Sequence, residues 1–429
     1  MLKELDLVPS FGFGDRLGLA TEGHIAALRA VALRAGKRPS PPAPLPGGEG
    51  GRPSPLAFLP GGEGGGILPV FAQQSVRENA RTGRTPQQVV DDARRAVEAA
   101  GWDGPWGADA DHLKSVDDLA PFVAAGYTFY TVDPGAFVDN AADAEPLPAL
   151  RGKVQPGEWD EMVALYLGPA AISFAQFDEE TLLRALVKYG RAITHTASMY
   201  RRLAELKERF DFEVSVDETD SPTSPLEHYF IASELVRRGV RFTSLAPRFI
   251  GRFEKGVDYI GDLAALDAEM AKHAAVTAHF GSYKLSLHSG SDKFSVYPLL
   301  VRHWGEGIHV KTAGTSYLEA LRTLASAEPE LFRRIWKLGL ARYTVDRATY
   351  HVSASLEQAP AAGPLPALLD NFHAREILHV TYGSALAEFG TEIKAALVRH
   401  AGLYQEHLVR HFTRHLELLT AAGRAGEQA

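Results

Sequence analysis

Short apolar segments alternate with longer segments of helical periodicity along most of the chain. A brief apolar run bounded by turn residues is typical of a buried strand, whereas apolar residues recurring every third or fourth position indicate an amphipathic helix. The predicted strands lie within residues 10–20, 67–73, 106–111, 127–133, 210–218, 241–246, 283–288 and 308–313. The predicted helices span residues 22–35, 85–100, 116–125, 178–209, 226–238, 263–279, 296–303 and 317–325.

This strict alternation predicts an α/β protein with a closed parallel (β/α)8 barrel of the TIM type over residues 1–325. A doubly wound open sheet is the alternative. Residues 326–429 are predicted to be a mainly helical C-terminal extension, with one strand over Ile377–Tyr382, that packs on one end of the barrel.

A tandem repeat interrupts the first helix-to-strand connection. Residues 38–51 read RPSPPAPLPGGEGG, and residues 52–65 read RPSPLAFLPGGEGG. So much proline and glycine can neither support a ladder of backbone hydrogen bonds nor bury much surface. We therefore interpret residues 38–66 as a disordered insertion in a barrel loop; a proline-rich ligand for an SH3-like partner is the alternative.

Composition excludes several functional classes. A net charge of −8 without a basic stripe argues against a nucleic-acid partner. The chain has no cysteine, so a metal site would have to use His, Asp and Glu. No segment approaches the length of a membrane span, and the N-terminus lacks the apolar core of a secretion signal. We expect a cytoplasmic protein with no membrane partner; a homo-oligomer is compatible with the sequence.

The end of the third predicted strand carries the run WGADADHL, residues 106–113. Asp111 and His112 adjoin there, where the strand becomes a loop. A carboxylate beside an imidazole suits a divalent-metal site with its own proton acceptor. Barrel enzymes place their chemistry at the carboxyl ends of the strands, so this position favours a functional role.

Alternation within the fifth strand selects further candidates. Its apolar residues share one face, so Glu213, Ser215 and Asp217 are predicted to point into the barrel. A buried acid is costly unless it is paired or bound to a metal. Glu213 is therefore either a catalytic residue or half of a structural salt bridge.

The seventh and eighth strands add three basic candidates. His288 falls at the tip of the seventh strand, on the same face as Lys284 and Ser286. His309 and Lys311 share a face of the eighth strand. Lys311 suits a carboxylate or a polarised carbonyl, whereas a lone strand histidine such as His309 is more often structural than a ligand.

Two loops complete the sequence-derived candidates. The run GFGDRLG, residues 12–18, misses the G-x-G-x-x-G spacing and lacks the acidic residue expected further on, so it predicts a first barrel loop with Arg16 at its rim and no nicotinamide site. The segment Glu254–Asp258 follows the sixth strand and is either a ligand-bearing rim or a solvated turn.

The motifs together resemble the tagaturonate epimerase family, which interconverts D-tagaturonate and D-fructuronate in hexuronate breakdown. The resembling blocks, from about residue 10 to about residue 385, are FGFGDRLGLAT, FAQQSVRENARTGRT, GADADHLK, FEVSVDETDSPTSP, SLAPRFIGRFEKGVDYIGD, LSLHSGSDKFSVYP, HVKTAGTSYLEALR and HVTYGS. The proline–glycine repeat departs from the family, and relatives carry an additional N-terminal region.

The resemblance implies an isomerase that uses a divalent cation, such as Zn, Mn, Ni or Co, and no nicotinamide. Its proton acceptor would be Asp111 and its proton donor Glu213. His112 and His288 would be metal ligands. The third ligand would come from Glu254 or His309, and the carboxylate of the sugar-acid substrate would pair with Arg16, Lys255 or Lys311.

The two sugars differ at the hydroxyl-bearing carbon β to the ketone, whose C–H bond is not acidic. Simple enolisation therefore cannot invert it, and retro-aldol cleavage with recombination or direct acid–base work at that carbon are the routes that stay open. Another metal-dependent ketose isomerase or aldolase acting on sugar acids, and a non-catalytic sugar-acid binding protein, are the alternative functions.

Overall fold

A computed structural model describes residues 8–34, 66–168, 176–360 and 365–420. Within these ranges eight strands form a closed barrel, each parallel to its neighbours in chain order. They are β1 (Ser10–Gly14), β2 (Leu68–Ser75), β3 (Gly107–Leu113), β4 (Phe129–Val132), β5 (Asp211–Ser215), β6 (Ser244–Ala246), β7 (Lys284–Leu287) and β8 (Ile308–Thr312). The predicted TIM-type barrel is confirmed, and the pairing of β8 with β1 excludes the open sheet.

Helices surround the barrel and continue beyond it. Those that accompany the strands are α1 (Thr21–Arg34), α2 (Val76–Thr82), α3 (Pro86–Ala99), α4 (Leu119–Ala125), α5 (Leu147–Arg151), α6 (Pro156–Tyr166), α7 (Glu179–Leu206), α8 (Pro225–Arg237), α9 (Leu263–Phe280), α10 (Tyr297–Trp304) and α11 (Thr315–Ala327). Those that follow are α12 (Pro329–Asp346), α13 (Leu365–Leu368), α14 (Phe372–Val380), α15 (Tyr382–Arg399) and α16 (Ala401–Thr420).

Local sequence explains several helix boundaries. Thr85 and Ser224 precede α3 and α8, and each side chain accepts a hydrogen bond from the third helical residue in a capping box. Proline follows both caps at the first helical position, where its missing N–H costs nothing. Gly83 and Gly281 end α2 and α9 with φ of 65° and 63°, a left-handed conformation that glycine adopts without strain.

The interior of the barrel is polar, whereas branched apolar side chains usually fill such barrels. The outward faces of the strands carry the apolar residues that pack under the helices, among them Phe71, Phe212, Leu285 and Val310. The inward positions carry charged and hydroxyl side chains, which include Ser10, Asp109, Asp111, Thr131, Glu213, Ser244, Lys284, His309 and Lys311. The barrel thus presents ionisable groups toward its own axis.

The C-terminal region is helical, as predicted, but the strand predicted over Ile377–Tyr382 is wrong. Residues 372–380 form α14, capped by the Asn371 side chain. The run from Ala374 to Val380 is buried throughout, so its apolar and polar residues show no helical alternation. A short, fully buried run cannot be assigned to strand or helix by periodicity.

The last helix packs against the first. α16 lies against α1, and the Phe412 ring lies 5.3 Å from Phe13 and 4.6 Å from His24. Farther along the chain, Asp292 in the loop after β7 binds His411 at 2.6 Å and Arg375 at 3.0 Å. The C-terminal helices thus hold both the start of the barrel and one of its mouth loops.

Four predictions stay untested by the fold: the repeat insertion, the division at residue 325, the cytoplasmic location and the assembly state. The repeat at residues 38–65 lies outside the described residues. The proposed division at residue 325 falls inside α11, which ends at Ala327. No helix in the described part of the chain is long and apolar enough to cross a membrane; the cytoplasmic location and the assembly state remain predictions.

Candidate metal and acid–base site

Three strand ends bring His112, Asp217 and His288 together at the mouth of the barrel. Asp217 Oδ1 lies 3.6 Å from His112 Nε2 and 3.2 Å from His288 Nδ1. The three candidate ligand atoms all lie within 4.8 Å of one another. The two histidines selected from the sequence therefore meet, and Asp217 joins them from the strand face predicted to point inward.

In each imidazole, the ring nitrogen that faces away from Asp217 lies within hydrogen-bond distance of a carboxylate. His112 Nδ1 lies 2.9 Å from Asp111 Oδ1, and His288 Nε2 lies 2.6 Å from Glu213 Oε1. An imidazole that donates one N–H to a carboxylate presents its other nitrogen in a defined direction, as metal-binding histidines do. The other ring nitrogens, His112 Nε2 and His288 Nδ1, consequently point toward Asp217. His112 adopts a φ of 55°, an uncommon conformation that costs about 1 kcal/mol or more and is concentrated at functional sites.

Lys311 lies between three carboxylates below the histidines. Its Nζ is 2.6 Å from Asp109 Oδ2, 2.8 Å from Asp111 Oδ1 and 2.9 Å from Glu213 Oε1. Thr131 Oγ1 accepts a further hydrogen bond from Nζ at 2.5 Å. One ammonium cannot neutralise three acids, so the cluster favours either a retained proton or a second cation nearby.

The acids of this cluster differ in protonation. Burial raises the pKa of Asp109 to about 7 against the opposing charge of Lys311, and the charges of Asp111 and Glu213 add to the rise. Although burial opposes ionisation, His112 and Lys311 hold the pKa of Asp111 well below its usual range. Lys311 and His288 do the same, against burial, for Glu213. Asp111 and Glu213 are therefore both ionised.

The donor set fits a divalent cation. Burial opposes protonation of His288, but Asp217 and Glu213 raise its pKa to about 9. Burial also opposes protonation of His112, but Asp111 and Asp217 raise its pKa. The surroundings thus favour positive charge where His112 Nε2 and His288 Nδ1 meet, and two imidazoles with a carboxylate are ligands that transition-metal ions accept.

Two of the ligands implied by the family resemblance lie elsewhere. Glu254 Oε2 accepts hydrogen bonds from the Ser353 backbone at 2.8 Å and from its hydroxyl at 2.7 Å. His309 Nδ1 lies 2.8 Å from Ser10 Oγ, and burial lowers its pKa to about 3. The structure brings neither side chain into the group formed by His112, Asp217 and His288.

The three cations predicted to bind the substrate carboxylate differ in whether they already have an acidic partner. Arg16 Nε donates to Glu78 Oε1 at 2.8 Å, and its guanidinium lies 3.6 Å from the centre of the Tyr382 ring. Lys311 is held by the acids described above. Lys255 Nζ donates to Ser289 Oγ at 2.6 Å, and its charge also acts on Glu218 from beyond salt-bridge distance. Of the three predicted cations, Lys255 is the one without an ion pair among the described residues.

The sequence placed Asp109 in the WGADADHL run and Asp217 on the inward strand face, but it predicted no role for either residue. The signal was present in both cases. Asp109 shares a strand face with Asp111, two residues later, and Asp217 shares one with Glu213. Their partners come from other strands, which strand parity alone does not reveal.

Comparisons with known proteins agree on one family. The tagaturonate epimerase family model matches residues 62–419. The tagaturonate/fructuronate epimerase of Thermotoga maritima is 41% identical over 426 residues, which cover 96% of this chain and 80% of the relative. The native crystal structure of fructuronate-tagaturonate epimerase from Cohnella laeviribosi is 36% identical, with a TM-score of 0.84 over 97% of this chain and 82% of that one. A glycerol complex of the same enzyme gives a TM-score of 0.83 at 36% identity over 96% and 81% of the two chains.

Proposed function

The chain belongs to the tagaturonate epimerase family and is an isomerase, and we propose that it interconverts D-tagaturonate and D-fructuronate with a divalent metal ion at the barrel mouth. One observation carries the proposal. Two imidazoles, each oriented by an acid, converge on one carboxylate at the end of the barrel where such enzymes act.

We assign the metal ligands to His112, Asp217 and His288. We prefer Asp217 to Glu254 and His309 as the third ligand, because Asp217 offers an oxygen at 3.2 and 3.6 Å from the two imidazoles, whereas Glu254 and His309 form hydrogen bonds with Ser353 and Ser10. When bound, the ion would polarise the substrate ketone and favour negative charge on its oxygen. Glu218 Oε1, 4.0 Å from His112 Nε2, adds negative charge at the same rim.

Asp111 is proposed as the proton acceptor and Glu213 as the proton donor. In the retro-aldol route, Asp111 takes the proton of the hydroxyl on the carbon β to the ketone, and the bond between the α and β carbons breaks. The electron pair of that bond goes to the ketone fragment, which becomes an enediolate, and the other fragment becomes an aldehyde. After the aldehyde turns its other face, the carbon–carbon bond forms again. Lys311, whose Nζ lies 2.8 Å from Asp111 and 2.9 Å from Glu213, gives a proton to Glu213 and takes the one held by Asp111. Glu213 then passes its proton to the inverted hydroxyl oxygen, and both carboxylates end the cycle ionised.

Lys255 is proposed to bind the substrate carboxylate. An ammonium–carboxylate hydrogen bond is among the stronger polar contacts of a protein. Arg16 and Lys311 already have acidic partners, so recruiting either would leave a buried acid without its cation. Lys255 is half-buried beside Ser289, to which it donates a hydrogen bond, and within the described ranges it would give up no ion pair by binding the substrate.

The test is direct. Purified protein, stripped with a chelator and reloaded with Zn, Mn, Ni or Co in separate samples, is incubated with tagaturonate while NMR follows the appearance of fructuronate. We expect turnover with at least one ion and none in the stripped protein. Equal turnover in the stripped protein would refute the metal dependence, and no turnover with any ion would refute the assigned reaction. Trapping an aldehyde fragment supports the retro-aldol route; inversion with no exchange of an added aldehyde fragment contradicts it.

A further inference from the structure

Two adjacent glutamines of β2 face opposite sides of the barrel wall. Gln74 points outward, where its Nε2 donates to Thr82 Oγ1 at 3.0 Å and its Oε1 accepts from Arg84 at 3.1 Å. Gln73 is paired across the sheet with Asp109, whose carboxylate lies on the barrel axis beside Lys311. The amide of Gln74, which both donates and accepts a hydrogen bond, therefore lies outside the barrel, and the amide of Gln73 lies inside it.

The inner amide, that of Gln73, lacks a hydrogen-bond partner among the described residues. Gln73 is 2% exposed, and neither its Nε2 nor its Oε1 forms a hydrogen bond with any residue that the structure describes. Leaving a buried donor or acceptor unpaired destabilises the folded state, and native proteins rarely do so. A buried amide with both groups unpaired therefore indicates a site that another molecule, either a ligand or water, completes.

The position of this amide places it beside the acid–lysine cluster. A Cβ atom at Gly12 would lie 1.8 Å from Gln73 Oε1, so the amide occupies the space that a side chain at position 12 would need. Gly12 is the cross-strand partner of Lys311. Two residues further along β2, Ser75 is paired with Asp111. Gln73 thus lies one interior layer below the proposed proton acceptor.

We propose that the Gln73 amide binds hydroxyl groups of the sugar-acid substrate and is a specificity-determining residue of the epimerase. The inference rests on the proposed function. An amide offers one donor and one acceptor group side by side, and a polyhydroxylated chain presents hydroxyls that both donate and accept. A substrate lacking the matching hydroxyl would leave the amide unpaired again, which is how a buried polar group discriminates between ligands.

The experiment compares Gln73→Met with the matched control Gln74→Met. Methionine keeps the length of glutamine and removes its hydrogen bonds. For Gln73→Met we expect the KM for tagaturonate to rise about ten-fold or more, because lost hydrogen bonds of about 1 kcal/mol each multiply. Its thermal midpoint should stay the same or rise, since an unpaired buried amide has been removed. For Gln74→Met we expect an unchanged KM and a lower thermal midpoint.

The outcomes separate the inference from the proposed function. If Gln73→Met leaves KM and kcat unchanged, the amide is completed by water alone and the inference is wrong, while wild-type turnover still upholds the function. An equal rise of KM in both variants would also overturn it. A wild-type protein that does not epimerise tagaturonate would refute both. Should Gln73→Met fail to fold, Gln73→Leu also removes the donor and the acceptor without adding charge, and it must raise KM for the inference to stand.

Discussion

His288 Nε2 lies 2.6 Å from Glu213 Oε1, which joins a proposed metal ligand to the proposed proton donor. His112 and Asp111 form the equivalent pair on the other side of the mouth, at 2.9 Å. Each acid therefore orients an imidazole as well as facing the interior where the substrate would bind. Substitutions here should be judged by metal affinity and by turnover together, because either property can change without the other.

Removing one imidazole should abolish tight metal binding. We expect His288→Ala to lose most of its affinity for the divalent ion, because one of three protein ligands is gone. Isothermal titration of chelator-treated protein measures this. His303→Ala, which alters a histidine paired with Asp267 on the outer helices, is the control and should bind like the wild type. Unchanged binding by His288→Ala would remove the metal assignment.

Neutralising the two acids should slow the reaction more than it weakens metal binding. We expect Asp111→Asn and Glu213→Gln each to lower kcat about 100-fold or more, the usual size of a general acid–base contribution. Metal affinity should fall by about ten-fold to 100-fold, because an orienting partner is lost. Assays at saturating metal separate the two effects. Full activity in both variants would contradict the assigned roles.

Lys311 should be essential for stability as well as for activity. Replacing it with methionine leaves three buried carboxylates without their cation, and breaking a buried ion pair in this way costs about 3 to 5 kcal/mol. Denaturant unfolding of Lys311→Met against Lys337→Met, a change on the exposed face of α12, measures the difference. The loss should shrink at low pH, where the acids take up protons. Equal free energies of unfolding for the two variants would argue against the cluster.

Glu376 should make folding stability depend on pH. The Ser353 backbone N–H donates to both Glu254 and Glu376, and burial together with Glu254 raises the pKa of Glu376 to about 8. Above its ordinary value of 4.5 the carboxyl of the unfolded chain ionises, while the folded one keeps its proton up to about pH 8. The protonated Glu376 carboxyl therefore stabilises the folded protein fully below pH 4.5. This stabilisation is lost as the pH rises through the folded pKa of about 8.

Glu376→Gln cannot ionise, so the variant should gain stability relative to the wild type as pH rises between these two values. The gain should level off above about pH 8, at a few kcal/mol at most. Urea unfolding at pH values below, within and above this interval measures it. The exposed Glu357→Gln serves as control and should show no such trend. A difference between Glu376→Gln and the wild type that stays constant with pH would refute the shifted pKa.

The barrel could be predicted from the sequence because each strand and each helix left its own periodic signal. The strand predicted over Ile377–Tyr382 failed for the opposite reason, since a run buried on all sides loses that signal. The helices α5 and α6 are not among the predicted elements. Proline lies in the first turn of each, Pro148 as the second residue of α5 and Pro156 as the first residue of α6, where it is compatible with a helix.

Those site residues could be predicted whose placement depends on a single strand. Strand parity placed Glu213 and Asp217 inside, and a strand-end position selected His112 and His288. Contacts between strands were not accessible in this way. The three acids around Lys311 come from two other strands, and the neutralisation of Arg16 by Glu78 depends on the placement of α2. These contacts explain why Lys311 and Arg16 are not free for the substrate.

The packing of α16 on α1 has a consequence for how the protein is made. β1 cannot complete its pairing until β8 exists, and the face of α1 that contacts α16 stays uncovered until α16 exists. During translation the first strand and first helix therefore keep apolar surface uncovered until these later segments are synthesised. Nascent chains stalled before α16 are the species that should need chaperones.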